Sequence, residues 1–539
     1  MSSSSIKSKT QKTPGLLIIL DGWGIAPPNR GNAVALAKTR TMDWLYKNYP
    51  SIKTLCAHGA CAGLPDPQTG NSEAGHLNIG AGRLVESENV MITEEIKSGH
   101  FFRNPAFLEA VNHIKYHKSK IHLMGLITEN DSAHSSPNHW MAMLKLLLNE
   151  GVENIYIHLF TDGRDSSQHA AIKLIKRFEK KANGVKNHNH ADDQQKIIVA
   201  SVCGRFYAMD RIKNWSAIEK VYDAIILGHS EVTAETADEA IVQAYNRGET
   251  DEFIKPTVIV DKNGKALGVV EDRDAVIFMN LRSDRARELT KVFVQKDFMK
   301  MNSNSFRRKK YLENLLFVAM TSFGPDLDNI HTAYPSRALI NALPWVLKGL
   351  NQFYVAETEK YAHITYFFNG GYDRPVAGEN RVALKSPAVE HYDTAPEMGA
   401  IKITAEVLKI LRKEDPDFMV INFANPDMLG HTGNLEATIK GITVVDQCLA
   451  KILEALKRKN GWAFIAADHG NSEEMINLKT GEIDTKHSIN PVPAIVFHSK
   501  YKSVHLREHG VLGDIAPTIL QIMNIDQPIE MTGKSLIIK

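Results

Sequence analysis

The sequence has few of the features that mark membrane-spanning or nucleic-acid-binding proteins. No apolar run approaches the roughly 20 residues that a transmembrane helix needs. Basic and acidic residues nearly cancel, with 64 Lys and Arg against 62 Asp and Glu and a net charge of +2. This balance gives no reason to expect a nucleic acid or an anionic membrane as a partner. Hydrophobic residues make up 43% of the chain and charged residues 23%, which is typical of a globular protein.

Cysteine is also scarce. The four cysteines are Cys56, Cys61, Cys203 and Cys448. They form no CxxC pair and no disulfide framework, which is typical of a protein in a reducing compartment. We expect all four cysteines to be small, buried apolar side chains. Residues 1–14 are rich in Ser and Lys and lack the apolar core of a signal peptide. Their shortage of acidic residues is compatible with a transit peptide, but they contain no arginine, so we interpret them as the disordered tail of a cytoplasmic protein.

A chain of 539 residues exceeds the ~250–300 at which one hydrophobic core stops growing, so we expect two or more domains. Short apolar runs alternate with amphipathic helices, which predicts an α/β fold. One helix is predicted from about Leu435 to Lys457, where apolar residues recur at helical spacing. The predicted strands are Gly15–Leu20, Ile121–Thr128, Asn154–Thr161, Lys196–Val202, Ala275–Leu281, Leu315–Met320, His363–Phe368, Phe418–Phe423, Trp462–Ala467 and Ala494–Phe497.

Three of these apolar strands are followed by side chains that bind metals. The side chains are Asp21 after the first strand, Asp427 and His431 after Phe418–Phe423, and Asp468 and His469 after Trp462–Ala467. In open α/β sheets, ligands bind at the carboxyl ends of the strands. Carboxylates and imidazoles without a thiolate suit Mn²⁺ or Zn²⁺ better than a soft metal. The pattern therefore predicts phosphoryl chemistry at a two-metal site.

A serine on a tight loop is a candidate nucleophile. Ser72 lies between glycines in the segment Thr69–His76. Taken alone, a serine in this context is more often the N-cap of a helix. A metal ion can activate a serine oxygen without a histidine base, so the predicted metal ligands favour the catalytic interpretation.

Arginines follow the predicted strands in the middle of the chain. They are Arg164, Arg205, Arg211, Arg282 and Arg285. Any one of them is more often part of a surface ion pair. Together they predict an anion pocket, because guanidinium groups bind phosphate and carboxylate bidentately. Asp165, beside Arg164, is then a candidate general acid and base for a substrate hydroxyl.

Five motifs, in order from about residue 15 to the end of the chain, resemble those of the cofactor-independent phosphoglycerate mutases. The motifs are Asp21–Gly24, Gly70–His76, Asp162–Asp165, Ala356–Tyr361 and Ala467–Asn471. These metal-dependent enzymes belong to the alkaline phosphatase superfamily. The resemblance implies interconversion of 3-phosphoglycerate and 2-phosphoglycerate in glycolysis and gluconeogenesis, without 2,3-bisphosphoglycerate. It further implies a cytoplasmic monomer with no nucleic-acid or membrane partner.

The resemblance also implies roles for single residues. Ser72 would carry the phosphoryl group, Asp165 would move a proton, and Lys360 would assist transfer. Two divalent ions are implied, Mn²⁺ foremost, with Mg²⁺, Co²⁺ or Zn²⁺ as alternatives. One ion would be bound by Asp427, His431 and His487, and the other by Asp21, Ser72, Asp468 and His469. The substrate-binding set would be His134, Arg164, Asp165, Arg205, Arg211, Arg282, Arg285 and Lys360. His363, near Lys360, is interpreted as structural.

The segment Thr128–Ser136 departs from the family pattern. It lacks the usual pair of glycines, is one residue longer, and has Ser136 where a second histidine is usual. The path of this loop, and with it the position of His134, therefore remains open. Two polar insertions, Val185–Gln195 and Lys300–Lys310, also depart from shorter members, and we expect both to lie on the surface.

The implied architecture is two α/β domains. Residues 15–86 and 335–539 would form a phosphatase-like metal-binding domain, and residues 87–334 an inserted transferase domain. The crossings near Leu84–Glu88 and Tyr334–Ser336 would act as hinges. Two alternatives stay open: another mutase or phosphatase of the superfamily, such as a phosphopentomutase, and a non-catalytic binding protein. Mutase activity measured against phosphatase activity separates them.

Overall fold

The computed structural model describes residues 13–188, 195–324, 326–327, 329–335 and 339–538. The chain forms two compact units: Met1–Ser87 with Ala338–Lys539, here called the discontinuous unit, and Glu88–Arg337, here called the inserted unit. Residues 1–12 of the predicted tail and 189–194 of the first polar insertion lie outside the described residues. None of the described helices combines the length and apolar character that crossing a membrane requires.

The strands alternate with helices along the chain, as predicted for an α/β fold. In chain order, the strands are β1 (Gly15–Leu20), β2 (Ser51–Cys56), β3 (Ile121–Leu126), β4 (Asn154–Thr161), β5 (Lys196–Gly204), β6 (Val232–Ala234), β7 (Thr257–Ile259), β8 (Ala275–Phe278), β9 (Leu316–Thr321), β10 (His331–Tyr334), β11 (Gln352–Glu357), β12 (Asn380–Leu384), β13 (Phe418–Phe423), β14 (Trp462–Ala466), β15 (Val492–Phe497), β16 (His505–Leu506), β17 (Gly510–Val511) and β18 (Ile537–Ile538).

The α-helices are α1 (Ala33–Leu36), α2 (Arg40–Asn48), α3 (Ser72–Ala81), α4 (Glu88–Ser98), α5 (Pro105–His117), α6 (Pro137–Asn149), α7 (Ala171–His188), α8 (Arg205–Ala208), α9 (Trp215–Tyr222), α10 (Ala237–Asn246), α11 (Ser283–Val294), α12 (Phe298–Met301), α13 (Leu343–Val346), α14 (Ala400–Lys413), α15 (Asn425–Gly430), α16 (Leu435–Arg458) and α17 (Ile515–Met523). The 3₁₀ segments are Gly59–Ala62, His100–Arg103, Asp251–Phe253, Thr358–Lys360, Tyr392–Thr394, Ser499–Tyr501 and Leu512–Asp514. The π-helical segments are Asp223–Leu227 and His363–Phe367. The helix predicted from Leu435 is confirmed as α16.

The discontinuous unit is built on one sheet with the strand order β12-β11-β13-β1-β14-β15-β2-β17. The strands β12, β11, β13, β1 and β14 run parallel, and β15 is antiparallel to both of its neighbours. The central strands β1, β13 and β14 are apolar almost throughout and buried along their whole length. This is the pattern expected of parallel strands that helices cover on both faces.

The inserted unit has its own sheet, with the strand order β10-β9-β8-β3-β4-β5-β7-β6. All neighbouring strands in it are parallel except β5 and β7. The two main hydrophobic clusters of buried side chains in this unit are separate from the larger main cluster of the discontinuous unit. The α/β fold with two large sheets confirms the predicted fold class.

One predicted strand is wrong. The run His363–Phe368 is not a strand, because His363–Phe367 forms a π-helical turn. The strand of this region is β11, which ends at Glu357, before that run begins. A short apolar run fits a buried helical turn as well as a buried strand, so periodicity does not separate the two. The prediction missed β11 because the run begins with Gln352 and includes Tyr354, whose hydroxyl donates to Gln352 Oε1 over 3.0 Å.

The expectation that no cysteines pair is wrong for Cys56 and Cys61, which form a disulfide. Cys56 ends β2, and Cys61 lies in the 3₁₀ turn that follows, so the turning chain brings their Cα atoms to 5.8 Å. That separation lies within the range a disulfide spans. Cys203 and Cys448 are free and buried, as expected. Cysteine usage therefore no longer argues for a reducing compartment.

The second polar insertion lies largely on the surface, as expected, but it is anchored. The guanidinium of Arg308 donates to the carbonyl oxygens of Val292, Gln295 and Lys296 over 2.8, 2.7 and 2.9 Å. These carbonyls lie at and just beyond the end of α11. Arg308 thus supplies donors to a helix terminus that lacks intrahelical partners.

Candidate active site

The predicted metal ligands at the strand ends lie together because their strands are neighbours. Asp21 follows β1, Asp427 lies just after β13, and Asp468 and His469 follow β14. β1 pairs with both β13 and β14 in parallel, so the three carboxyl ends fall at one edge of the sheet. The prediction that these strands share one sheet is therefore confirmed.

Asp21, Asp468 and His469 form one buried group whose ligand atoms all lie within 4.8 Å of one another. His469 Nε2 is 3.5 Å from Asp21 Oδ1 and 3.6 Å from Asp468 Oδ2. Helix α3 approaches this group closely, since a Cβ on Gly75 would lie 2.7 Å from the Asp468 carbonyl oxygen. Glycine at this position of the motif is therefore required by the packing.

Two histidines converge on the carboxylate of Asp427. His431 Nε2 and His487 Nε2 each lie 3.2 Å from Asp427 Oδ1, and the two nitrogens are 3.0 Å apart. On the far side of each ring, Nδ1 faces a backbone carbonyl, that of Thr485 for His431 at 2.8 Å and that of Gly70 for His487 at 2.7 Å. Because a carbonyl only accepts, each Nδ1 carries the hydrogen and each Nε2 is left to bind a metal ion.

Ser72 is the first residue of α3 and not its N-cap. Asn71 is the N-cap and accepts the hydrogen bond from Ala74 N over 2.9 Å, so the structural interpretation of Ser72 is wrong. Ser72 Oγ lies 3.1 Å from Asp21 Oδ1 and 2.9 Å from His469 Nε2. Ser72 Oγ therefore lies beside two predicted metal ligands, Asp21 and His469, as the sequence analysis expects.

Lys360 reaches the same point. It follows β11, and its Nζ donates to Asp21 Oδ1 and Asp427 Oδ2 over 2.6 Å each and to Ser72 Oγ over 2.8 Å. Burial alone would lower the pKa of Lys360, but the carboxylates of Asp21, Asp427 and Asp468 outweigh burial and raise it. Lys360 is therefore a fixed positive charge beside the candidate nucleophile.

The carboxylate of Asp21 is held as an anion. Burial would raise the pKa of Asp21, but the charge of Lys360 and the hydrogen bond from His469 lower it well below its usual range. Burial would lower the pKa of His469, but the carboxylates of Asp468, Asp427 and Asp21 raise it to about 10. Three carboxylates in one buried place need compensating cations.

These residues fit divalent metal ions. Asp468 Oδ2 is buried and accepts no hydrogen bond among the described residues, although His76 Nδ1 is 3.2 Å away. Oxygen and imidazole ligands without a thiolate match Mn²⁺, Zn²⁺ and related ions. The two groups of ligands share His469, and each contains at least one carboxylate.

In the inserted unit, the predicted substrate-binding residues also follow neighbouring strands. His134 lies in the loop after β3, Arg164 and Asp165 follow β4, Arg205 and Arg211 follow β5, and Arg282 and Arg285 follow β8. These four strands are adjacent in the order β8-β3-β4-β5 and run parallel. Their carboxyl ends therefore meet at one edge of this sheet.

The electrostatics of His134 show that the arginines converge. Burial lowers the pKa of His134 to about 2, together with the positive charges of Arg205, Arg282, Arg285 and Arg211. His134 is therefore a neutral side chain among four cations. An anion is the ligand that such a cluster favours.

Asp165 is placed within this cluster. Its Oδ2 lies 3.2 Å from Arg205 Nη1 and 4.0 Å from His134 Nε2. Asp162, fully buried, accepts from Arg205 Nη1 over 2.5 Å and from the backbone N–H of Asp165 over 3.2 Å. Asp162 thereby holds Arg205 in place beside Asp165. The sequence analysis did not assign this role to Asp162.

The loop that departs from the family pattern has a defined path. Ser132 Oγ accepts from the backbone N–H groups of His134 and Ser135 over 3.1 and 3.2 Å. Ser136, which stands where a second histidine is usual, caps α6 and accepts from Asn138 N over 3.3 Å. Serine hydroxyls thus replace the turn that a glycine pair would make, and His134 points into the arginine cluster.

Some of the arginines also make the ion pairs that the alternative interpretation expects. Arg211 Nη1 is 3.2 Å from Asp284, and Arg164 Nη1 is 3.5 Å from Glu252. Both side chains remain about half exposed, at 51% and 53%. These pairs orient the guanidinium groups without burying them. Arg164 and Arg211 are therefore members of surface ion pairs and remain accessible to an anion.

Three buried polar residues were missed by the sequence analysis. Asn422, inside β13, donates to Asp21 Oδ2 over 2.8 Å, and Asn471 donates to Asp427 Oδ1 over 2.9 Å. His76, on α3, contacts Asn422 and Ser72. The available signal was a single polar residue in an otherwise apolar strand, Asn422 in Phe418–Phe423.

Comparisons with known proteins agree with the fold and with a metal-dependent enzyme. The model of the metalloenzyme superfamily matches residues 13–527. The 2,3-bisphosphoglycerate-independent phosphoglycerate mutase 1 of Methanosarcina acetivorans is 45% identical over 533 residues, or 98% of this chain and 99% of the relative. That of Clostridium novyi is 43% identical over 527 residues, or 97% of this chain and 99% of the relative. A crystal structure of Leishmania mexicana phosphoglycerate mutase at low cobalt concentration matches with a TM-score of 0.77 and 30% identity, covering 99% of this chain and 98% of that one.

Proposed function

This chain belongs to the metalloenzyme superfamily and to its 2,3-bisphosphoglycerate-independent phosphoglycerate mutases, and we propose that it works through a phosphoserine at Ser72. It is an enzyme that interconverts 3-phosphoglycerate and 2-phosphoglycerate in glycolysis and gluconeogenesis. The observation that carries the proposed route is the position of Ser72 Oγ, within 3.1 Å of Asp21, His469 and Lys360 at the edge of the sheet.

The enzyme depends on divalent metal, and we propose two Mn²⁺ ions. Asp427, His431 and His487 would hold one ion, and Asp21, Ser72, Asp468 and His469 the other. The converging nitrogens around Asp427 Oδ1 and the buried group around His469 support this division. When bound, the ions lower the pKa of the serine hydroxyl and offset charge on the phosphoryl oxygens.

The residues around Ser72 suit an attacking and a leaving serine oxygen. Ser72 Oγ would attack phosphorus in line as the bond from phosphorus to the glycerate oxygen breaks, and the serine proton would end on that glycerate hydroxyl, while Lys360 Nζ donates toward the equatorial phosphoryl oxygens. The resulting phosphoserine would stand at the first position of α3, where the helix dipole favours negative charge. The helix start thus stabilises the intermediate as well as placing the nucleophile.

The arginine cluster suits the second task, which is to retain glycerate. Arg205, Arg211, Arg282 and Arg285 would bind the carboxylate and phosphate of the substrate, with Arg164 and His134 beside them. Asp165 would deprotonate the hydroxyl that takes up the phosphoryl group, and would return the proton in the reverse reaction. Neutral His134 supplies a hydrogen-bond donor without adding charge.

We also propose the domain roles expected from the sequence. Residues 15–86 and 335–539 would form the metal-binding domain, and residues 87–334 the transferase domain, in a cytoplasmic monomer. The two compact units support this division, since they separate after Ser87 and after Arg337.

The decisive experiment is to trap the intermediate. Wild-type protein mixed with 3-phosphoglycerate and quenched with acid should yield a peptide carrying phosphate on Ser72, detected by mass spectrometry. Ser72→Ala should yield none and should lose at least ~10³-fold in kcat, because a covalent nucleophile has no substitute. The thermal unfolding temperature of the variant should stay close to that of the parent.

The same samples test the alternatives. A phosphatase would release inorganic phosphate without forming 2-phosphoglycerate, and a binding protein would form neither product. Mutase turnover by Ser72→Ala within about tenfold of the parent would exclude the phosphoserine route.

A further inference from the structure

A chain of hydrogen bonds links the proposed nucleophile to a proposed metal ligand. His76 Nδ1 lies 2.9 Å from the backbone carbonyl oxygen of Ser72, and His76 Nε2 lies 3.0 Å from Asn422 Nδ2. Asn422 Nδ2 also donates to Asp21 Oδ2 over 2.8 Å. Asp21, His76 and Asn422 are fully buried, so no water is needed to complete the chain.

The direction of each hydrogen bond follows from the partners. The carbonyl of Ser72 only accepts, so His76 Nδ1 carries a hydrogen, and His76 Nε2 accepts because it faces the amide nitrogen of Asn422. The two hydrogens of the Asn422 amide then point to His76 Nε2 and to Asp21 Oδ2. One amide thus serves both the helix that carries Ser72 and the carboxylate of Asp21.

This arrangement decides which oxygen of Asp21 is available. Asn422 occupies Oδ2, while Ser72, Lys360 and His469 all face Oδ1. Asn422 pairs in register with Ile19 of β1, two residues before Asp21, so strand pairing itself fixes the distance. An amide donates here without adding a further negative charge to a site that already holds three carboxylates.

We propose that His76 and Asn422 are positioning residues that set the orientation of Asp21 and of the first turn of α3. Through Asp21 they would act on metal affinity, and through the Ser72 backbone on the direction of Oγ. The inference rests on the proposed roles of Asp21 and Ser72. Groups that hold metal ligands in place in this way typically contribute 10–100-fold to metal affinity or activity.

Three substitutions distinguish the hydrogen bond between His76 and Ser72 from the hydrogen bonds of Asn422. Asn422→Leu keeps the shape of the side chain but removes both donors. His76→Gln places an amide near the position of Nε2, where it still accepts from Asn422, but removes the donor to Ser72. His76→Asn places an amide near the position of Nδ1, which keeps the donor to Ser72 and removes the acceptor for Asn422.

The readouts are Mn²⁺ affinity by equilibrium dialysis, the thermal unfolding temperature of metal-free protein, and kcat and KM with 3-phosphoglycerate. We expect Asn422→Leu and His76→Asn to weaken Mn²⁺ binding about 10–100-fold. His76→Gln keeps the link to Asp21 but loses the Nδ1 group that lies 3.2 Å from Asp468 Oδ2, so it should weaken Mn²⁺ binding less than these two variants and have a lower kcat at little-changed KM. If Asn422→Leu does not fold, the two His76 variants carry the comparison alone.

Asn78→Ala is the matched control. Asn78 lies on the same helix, is buried, and donates to Ala62 O and Ala74 O over 3.0 and 2.8 Å without touching Asp21 or Ser72. It should lower the unfolding temperature and leave Mn²⁺ affinity unchanged. Parent-like Mn²⁺ affinity in Asn422→Leu and His76→Asn, or an equal loss in Asn78→Ala, would overturn the inference. The Mn²⁺ affinities test the positioning roles of His76 and Asn422 even if no phosphoserine is found. Failure of the phosphoserine mechanism can therefore be distinguished from failure of this inference.

Discussion

At the scale of single residues, Arg205 and Arg211 differ although the sequence presents them as a pair. Arg205 is 4% exposed and neutralises buried Asp162, so its removal leaves an unpaired buried charge and endangers the fold. Arg211 is 51% exposed and contacts only the partly exposed Asp284 among the ion pairs described. Arg211 is therefore the better residue for testing how glycerate is retained.

We predict that Arg211→Ala raises the ratio of free phosphate to 2-phosphoglycerate and raises KM. With glycerate held less firmly, water competes for the phosphoserine. Both products are measured from 3-phosphoglycerate in one reaction. Arg247→Ala is the control, since Arg247 pairs with Glu249 elsewhere in the same unit. A proportional loss of both products would show that Arg211 only helps substrate to bind.

At the scale of elements, the sequence predicted the site where strand ends determine it. Asp21, Asp427 and Asp468 follow apolar runs that form buried parallel strands, and parallel strands in one sheet align their carboxyl ends. Lys360 could be assigned only through the family resemblance, because β11 was not recognised. His76 and Asn422 had no periodic signal, and the partners of a lone buried polar residue are set by tertiary packing.

The end of α11 gives a prediction about the polar insertion. Arg308→Ala should destabilise the protein by about 1–3 kcal/mol, because it removes charged donors from the terminal carbonyls of α11, the helix that contains Arg285. Arg307→Ala, next in sequence and exposed, is the matched control. Urea unfolding measures both. Equal stability of the two variants would show that solvent replaces Arg308 as the cap.

A buried network across the strands of the inserted unit predicts a pH dependence. Asp274, His122, His158 and Ser201 are linked by contacts of 3.2, 3.1 and 2.8 Å. Burial lowers the pKa of His122 despite the opposing effect of Asp274, and burial with the neighbouring His122 lowers the pKa of His158 well below its usual value. Both rings are therefore neutral in the folded state while unfolded histidine still titrates near about 6.5.

Below that pH the unfolded chain binds more protons than the folded chain, so the free energy of unfolding falls as pH falls. Each histidine can contribute up to ~1.4 kcal/mol per pH unit in this window. Hydrogen exchange of the β3 and β4 amides, corrected for intrinsic rates, measures the change between pH 7.5 and 5.5. His158→Gln should be less stable at pH 7.5 but should show a shallower dependence on pH. An unchanged slope would assign the effect to other groups.

At the scale of the whole molecule, the central position of β1 has a consequence for synthesis. β1 is complete at Leu20, but its two neighbours span Phe418–Phe423 and Trp462–Ala466. At about 5–20 residues per second, roughly 20–90 s of translation separate the first strand from its partners. The inserted unit, continuous from Glu88 to Arg337 with its own core, emerges within that interval.

A ribosome-bound nascent chain that stops before Phe418 should therefore contain a protease-resistant inserted unit and a protease-sensitive β1. Limited proteolysis of stalled chains measures this directly. Equal resistance of both segments would mean that β1 finds other contacts first. Until Phe418–Phe423 is made, the apolar run Gly15–Leu20 lacks both of its neighbouring strands, and an unpaired apolar strand is a site of aggregation. The first strand of the enzyme is thus exposed to aggregation for as long as β13 and β14 are unmade.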